Sequence, residues 1–341
     1  MINVAICGYG YWGRNLLRTF AQHQDFTVIA VADSSATQRD VLTKNFPTIS
    51  VYNSAEEAIN DKRIEAIVIA TPVASHYALA LQALDMGKHV LVEKPMCATS
   101  EQAAELAALA ERKGLTLMVD HTFLFHPIVQ KLKDLIAADT FGHVSYYDSL
   151  RVNLGLFQPD VNVLWDLAPH DLSIVDYLFD EDPVHVEASG YCHINDQLPD
   201  IAYVTLHFPS RSVVHLNLSW MSPVKARRIA IGGSKKMAVW DDMERDEPLR
   251  IYDSGITAQR QEDRMIYIPG YRIGDVHAPR IPVREALVGV AGHFYDVITK
   301  REQSVMDGRK GEKILRTLEM AQRALDANLK AINAGYAKQQ P

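Results

Sequence analysis

Short apolar runs and longer amphipathic ones alternate through the first third of the chain. "INVAIC" reads as a buried strand and passes through glycine-rich "GYGYWG" into the helical "RNLLRTFAQH". "FTVIAVAD" is the next strand, followed by a helix around "ATQRDVLTKN" and a short one at "AEEAIND". "EAIVIATP", "HVLVEK" and "TLMVDH" continue the series, separated by the helical patterns "HYALALQALDMG" and "SEQAAELAALAERKG". Continuous Val/Ile/Leu runs, each followed by a helix period, predict a five-stranded parallel sheet covered on both faces.

After His121 the pattern changes. "PIVQKLKDLIAAD" predicts a helix, and "VSYYDSLRVN", "HVEASGYCHI", "IAYVTLHF", "SVVHLNLSW" and "RRIAIGG" alternate as strands joined by short turns. Such a succession predicts a mainly antiparallel sheet, with the helix "DLSIVDYLF" on one face and the other face open to a second subunit. "REALVGVAGHFYDVITKR" and "EKILRTLEMAQRALDANLKAI" are late helices, while residues 241–285, rich in Asp, Arg, Pro and Gly, read as an irregular substrate or interface loop. A chain of 341 residues exceeds what one core usually organises, so two domains are expected. The fold class is α/β: an N-terminal Rossmann domain over residues 1–122, then a C-terminal α/β domain over 123–341 with a large, mostly antiparallel open sheet.

Composition narrows the function. A net charge of −7 argues against non-specific nucleic-acid binding, which needs a basic face. No apolar run approaches the length of a membrane span, and the N-terminus enters a strand with no basic leader. Cys7, Cys97 and Cys192 are scattered without paired spacing, so a reduced, cytoplasmic setting without a metal site is expected.

The glycines bring in chemistry. Gly8, Gly10 and Gly13 form G-x-G-x-x-G between a strand and a helix, around Tyr11 and Trp12. The first makes the turn, the second lets backbone approach a pyrophosphate, and the third lets helix and strand pack closely. Asp33 ends the second strand twenty residues after Gly13, where a carboxylate binds ribose hydroxyls and repels a 2′-phosphate. Ser34 and Ser35 follow it instead of an arginine, which favours NAD over NADP, although Arg39 is near. Ala70, Thr71 and Pro72 end the third strand run and are expected along the cofactor. His76 is either a cofactor neighbour or a helix-start residue. Glu93 and Lys94 close "HVLVEK", and ligands of open α/β sheets bind beyond such carboxyl ends, so Lys94 is expected near the nicotinamide. Pro95 holds it in extended backbone, with a trans or a cis bond.

"LWDLAPHD" places Asp166 and His170 one helical turn apart. Pro169 is best tolerated in a first turn, so the helix is predicted to start near Asp166, with both side chains at its N-terminus. The positive helix end there favours a carboxylate and disfavours a protonated imidazole, as a general base requires. An N-cap Asp166 beside a surface His170 is the alternative.

"GYGYWG", "VIATPVASHYALALQALDMGKHVLVEKPM" and "WDLAPHDLSIVDYL" together resemble the glucose–fructose oxidoreductase/inositol dehydrogenase (Gfo/Idh/MocA) family, in order and spacing, over nearly the whole chain. The resemblance implies a Rossmann domain followed by an open-sheet domain that assembles into homodimers or homotetramers. It implies NAD(P)-dependent oxidation or reduction of a sugar or polyol hydroxyl. Lys94 matches the lysine of the family's EKP motif, and Asp166 and His170 match its D-x-G-x-H motif, with Ala168 in place of the glycine. These three are the expected catalytic residues, with either His170 or Lys94 as the acid–base group.

"VDHTFLFHP" and "NVLWDLAPHDLSI" are similar to family members that oxidise C3 of a nucleotide-linked sugar, such as UDP-N-acetylglucosamine or its uronic acid. His121 and His126 stand where the family more often has Arg or Asn, which makes them candidate sugar contacts or core residues. Arg151 and Asn153 share one strand face and are further candidates. Lys225, Arg227 and Arg228 follow a strand and are either diphosphate donors or a solvated turn, with Tyr271 and Arg272 as weaker candidates. Three other functions fit the same motifs: a polyol or inositol dehydrogenase, an NADPH-dependent 3-ketoreductase of a deoxysugar nucleotide, and a non-catalytic dinucleotide sensor. The sensor needs none of Lys94, Asp166 and His170.

Overall fold

The structure, a computed structural model, describes residues 1–155, 157, 161–261, 266–282 and 284–337. It divides into two compact units, Met1–His126 with Arg284–Arg316, and Pro127–Val283 with Thr317–Pro341. The late segment 284–316 thus belongs with the first unit, unlike in the continuous division at residue 122 that the sequence suggests.

The first unit is built on β1 (Ile2–Cys7), β2 (Phe26–Ala32), β3 (Ser50–Tyr52), β4 (Ala66–Ile69), β5 (His89–Glu93) and β6 (Leu117–Asp120). They pair in parallel in the order β3-β2-β1-β4-β5-β6. This is one strand more than expected. β3 is a half-buried, three-residue edge strand, too short to carry an apolar run. The helices are α1 (Tyr11–Gln22), α2 (Ala36–Asn45), α3 (Ala55–Asn60), α4 (Val73–Asp85) and α5 (Ser100–Lys113). Val4, Ile6, Ile67, Ile69, Val90 and Val92 are fully buried between them, each contributing about 1.5–3 kcal/mol.

The segment 284–316 joins this unit for a packing reason. The helix α8 (Ala286–Lys300) buries Phe294 against Phe20 and Phe26, with ring centroids 6.4 and 6.0 Å apart. The long α9 (Gly308–Ala337) starts so close to the sheet that a Cβ at Gly311 would lie 2.7 Å from Val119 Cγ2.

The second unit opens with α6 (Pro127–Ala137), β7 (Val144–Leu154) and α7 (Val163–Phe179). Then come β8 (His185–Tyr191), β9 (Ile201–His207), β10 (Val213–Ser219), β11 (Met221–Gly233), β12 (Met237–Asp241) and β13 (Leu249–Tyr252). With β16 (Val276–His277) they form a sheet of order β16-β13-β12-β11-β7-β10-β9-β8 among the described residues, antiparallel except between β7 and β10. The mostly antiparallel expectation therefore holds. Val204, Leu206, Leu216 and Leu218 face inward, while Tyr203, Thr205, His215 and Asn217 alternate outward.

The stretch 241–285 is not one irregular loop. It holds β13, a hairpin of β14 (Gly255–Gln261) and β15 (Ile266–Arg272), and β16; residues 262–265 and 283 lie outside the described residues. Backbone pairing organises it where side-chain periodicity is weak. Among the described residues, no helix is long and apolar enough to cross a membrane.

Candidate active site

In the first unit the candidate residues collect at one end of the sheet because each follows a parallel strand. Gly8 comes after β1, Asp33 after β2, Ala70 after β4, Lys94 after β5 and His121 after β6. Two glycines are required by contact. Gly8 has φ +97°, and a Cβ on Gly13 would lie 1.9 Å from the Gly8 carbonyl oxygen. Gly10 differs: its Cβ position meets nothing within 4 Å, and as N-cap of α1 it supplies no side-chain acceptor. An uncapped helix start beside open space fits a pyrophosphate.

Asp33 accepts the Tyr9 N–H at 2.6 Å and the Ser35 N–H at 2.8 Å, which ties its carboxylate to the glycine loop. Arg39 donates to the carbonyls of Asp33 and Ser34 at 3.0 and 2.8 Å, so its guanidinium is held at the rim of this loop. Thr71 and Pro72 follow β4, and the Thr71 hydroxyl accepts from Ser75 at 2.7 Å. Tyr11 is exposed and Trp12 half-buried.

His76 lies in the first turn of α4, against Thr71 and Pro95. It is 1% exposed within α4, with Nδ1 3.0 Å from the Pro95 carbonyl and Nε2 2.7 Å from the Thr71 carbonyl. It braces the ends of β4 and β5 together. Burial pulls its pKa down, against the opposing pull of the two carbonyls.

Around Lys94 lies a buried polar cluster. The Lys94–Pro95 bond is cis. Glu93 Oε2 accepts the Lys94 backbone N–H at 3.2 Å. Directly opposite Glu93 in the β5–β6 register is Asp120, 2% exposed. Asp120 Oδ1 accepts the Thr122 hydroxyl at 2.7 Å, and Oδ2 accepts the Trp12 indole N–H at 3.3 Å. Burial, and then the Asp120 charge, push the Glu93 carboxyl well above the ordinary carboxylate range, against the pull of Lys94. Burial also raises Asp120, against hydrogen bonds from Glu93 and Thr122. His121 is 2% exposed, and among the described residues neither of its ring nitrogens has a hydrogen-bond partner. Burial, and then the Lys94 charge, push its pKa down to about 3, so it is a neutral core residue beside Lys94. His126 caps the turn Thr122–Phe125, its N–H donating to the Phe123 carbonyl at 3.0 Å.

The second unit holds Asp166 and His170 on α7. The helix starts three residues before the expected point, at Val163, because Asn162 caps it: its side chain accepts the Trp165 N–H at 3.1 Å. Pro169 is therefore interior, a cost of about 3 kcal/mol. Burial of Val163, Leu164, Leu172, Ile174, Val175 and Leu178 outweighs it at about 1.5–3 kcal/mol each. The correction matters for His170. The helix-end field fades after the first turn, so it acts on Asp166 and not on the imidazole one turn further on. Asp166 is fixed instead by the Trp220 indole N–H, which reaches its Oδ2 at 3.1 Å.

Arg151 and Arg227 are not open donors. They sit directly opposite each other in the β7–β11 register, an arrangement of like charges that needs compensation. Arg151 is bound by Asp171 at 2.6 Å, and Ser149 donates to the same carboxylate at 2.7 Å. Arg227 is bound by Asp242 at 2.8 Å. Asn153 is half-buried at the end of β7; Lys225 and Arg228 are exposed on β11, a bulged strand here where a turn was expected. Tyr271 is exposed, and Arg272 is bound to Asp253. Asp120, Asp171 and Trp220 carry this geometry without having been singled out in the sequence. The adjacency of Asp171 to His170 and of Asp120 to His121 was the available signal. Among the described residues, no group of three or more His, Cys, Asp or Glu is placed to hold a metal ion.

Comparison with known proteins adds the following. The family profile described as "Oxidoreductase family, NAD-binding Rossmann fold" matches residues 2–121, and "GFO/IDH/MocA C-terminal domain" matches residues 129–239. The chain is 32% identical over 250 residues to the uncharacterized oxidoreductase YdgJ of Escherichia coli (strain K12), covering 69% of each. It is 29% identical over 269 residues to the UDP-N-acetylglucosamine 3-dehydrogenase of Acidithiobacillus ferrooxidans, covering 78% of this chain and 80% of that protein. A solved structure of the UDP-N-acetylglucosamine 3-dehydrogenase GnnA from Acidithiobacillus ferrooxidans matches with a TM-score of 0.81 at 25% identity, covering 96% of this chain and 99% of that one.

Proposed function

The chain belongs to the Gfo/Idh/MocA family of NAD-binding oxidoreductases, and on that premise we propose that it oxidises the C3 hydroxyl of a nucleotide-linked sugar such as UDP-N-acetylglucosamine or its uronic acid. The observation that carries this reading is the likeness to the UDP-N-acetylglucosamine 3-dehydrogenase, which extends through both units. The residues fit NAD: the glycine loop and uncapped α1 suit the pyrophosphate, and Asp33 suits an unphosphorylated ribose.

When bound, the nicotinamide supplies the hydride acceptor. His170 takes the hydroxyl proton, with Asp166 one turn before it on α7 as its orienting carboxylate. Lys94 donates a hydrogen bond to the developing alkoxide, where a fixed positive donor favours charge that forms only in the transition state. Lys225 and Arg228, both exposed on β11, are the cations offered to the diphosphate, while Arg227 is already paired with Asp242.

The test mixes NAD-loaded protein at high concentration with UDP-N-acetylglucosamine, its uronic acid and myo-inositol in turn, following reduced nicotinamide through one turnover. A stoichiometric burst with a nucleotide sugar and none with inositol is expected. A burst with inositol alone refutes the substrate and leaves a polyol dehydrogenase. Lys94→Ala and His170→Ala are each expected to lower turnover at least about a hundredfold with NAD binding retained. Undiminished turnover removes that residue from the mechanism.

A further inference from the structure

The carboxyl pair behind Lys94 has no place in the chemistry above, yet Asp120 is 2% exposed and the Glu93 Oε1 atom is buried. Glu93 and Asp120 are register partners on adjacent parallel strands. The Glu93 Oε1 atom is buried and meets no N–H or O–H donor among the described residues, and the group facing this carboxyl is the Asp120 carboxyl. Asp120 in turn spends its two oxygens on Thr122 and Trp12, both of which donate to it. Two buried carboxylates side by side repel strongly, and neither can donate to the other unless one carries a proton. A single proton held by Glu93 and accepted by Asp120 satisfies the Oε1 atom and leaves one negative charge, on the carboxylate that already has two donors. The pair then titrates as a unit.

Among the described residues, the titratable and charged groups beside the pair are Lys94 on the strand end itself and His121 on the chain following β6. His121 is neutral, so the pair's remaining charge and the Lys94 ammonium are the charges of the cluster. From α1, the neutral Trp12 indole reaches it.

We propose that Asp120 is a positioning residue: it grips Glu93 across the β5–β6 ladder through one shared proton, and Glu93, through its contact with the Lys94 backbone N–H, fixes the lysine at the end of its strand. Trp12 couples this grip to the glycine-rich loop, so the lysine and the cofactor loop are held by one buried hydrogen-bonded chain. The positioning of a catalytic lysine rests on the reading of Lys94 given above; the shared proton does not.

The experiment therefore reads the proton directly, in the full chain without substrate. Infrared difference spectra of the wild type against Glu93→Gln and against Asp120→Asn, at neutral pH, are expected to show the carbonyl stretch of a protonated carboxylic acid in the wild type, lost in Glu93→Gln and moved in frequency in Asp120→Asn, where the proton's acceptor is no longer a carboxylate. Thermal melts confirm that both isosteric variants fold. Absence of that band from the wild type, its persistence in Glu93→Gln, or an unmoved band in Asp120→Asn overturns the proposal whatever the substrate is. The kinetic arm asks for rescue. Glu93→Ala is expected to lower kcat at least about tenfold, while Glu93→Gln, which mimics the protonated acid, stays within about threefold of wild type. A Gln variant as slow as the Ala variant shows that an ionised Glu93 is needed and overturns the shared-proton grip. A band behaving as expected in a protein that turns over no nucleotide sugar would instead count against the substrate reading alone.

Discussion

Replacing His121 by phenylalanine isolates the energetic consequence of burying an imidazole beside a lysine. In the wild type the ring is 2% exposed, and its ordinary pKa of 6.5 is pushed down to about 3 by burial and then by the Lys94 charge. The folded chain therefore refuses a proton that the unfolded chain accepts. The folded pKa lies below the unfolded one, so the stability tied to this group is fully present above pH 6.5 and is lost as pH falls from there toward about 3. Between pH 7 and pH 5, one such group costs about 2 kcal/mol of wild-type stability, and each further unit about 1.4 kcal/mol. Phenylalanine fills similar volume without a titrating nitrogen, and it removes two polar atoms that have no hydrogen-bond partner among the described residues. At neutral pH the variant should therefore be as stable as the wild type or more so by about 1–3 kcal/mol. Other histidines with depressed values, His76, His89 and His293, act equally in both proteins and cancel in the comparison. The assay is urea unfolding across this pH range, with amide exchange of β5 and β6 to report on the first unit. The stability difference should open by about 2 kcal/mol in favour of the variant on acidification. Parallel pH dependences in the two proteins would refute the reasoning.

Other expectations follow from the same geometry. Gly13→Ala should destabilise or prevent folding of the first unit, since its Cβ would lie 1.9 Å from backbone oxygen. Gly10→Ala should leave the melting temperature of the NAD-free protein nearly unchanged and weaken NAD binding in a titration; equal NAD affinity would dissociate Gly10 from the pyrophosphate. Asp171→Asn leaves Arg151 buried opposite Arg227 without its carboxylate and should cost about 3–5 kcal/mol in unfolding measurements. A loss below about 1 kcal/mol would show that the pair is dispensable. Asp33→Ser should narrow the preference for NAD over NADP at least about tenfold in paired titrations, one carboxylate's repulsion of a phosphate being worth about 1.4 kcal/mol or more.

Much of the first unit was legible without coordinates, for a local reason. A strand buried on both faces writes a continuous apolar run, as in "INVAIC" and "EAIVIATP", and the spacing of Gly8, Gly10 and Gly13 reflects contacts within a single strand–turn–helix. Strands end where such runs end, so Asp33, Thr71, Glu93 and Lys94 could be placed at the carboxyl end of the sheet before the sheet was seen. β3 escaped because three half-buried residues have no period to read. The start of α7 is not legible locally, because Pro169 signals a first turn by its local cost whereas the buried helix around it supplies several times that energy. What only the tertiary structure decided is which polar groups are already spent. Arg151 and Arg227 look like ligand donors along the chain, yet each is neutralised by an aspartate distant in sequence, Asp171 and Asp242. Both ring nitrogens of His76 are taken by the Pro95 and Thr71 carbonyls, which its place in the chain does not reveal. Asp120 looks like an ordinary strand end and becomes the partner of Glu93, because parallel pairing sets the two carboxyls opposite each other. Hydrophobic period is a property of neighbours along the chain; the pairing of a buried charge is a property of neighbours in space, and no local pattern encodes it.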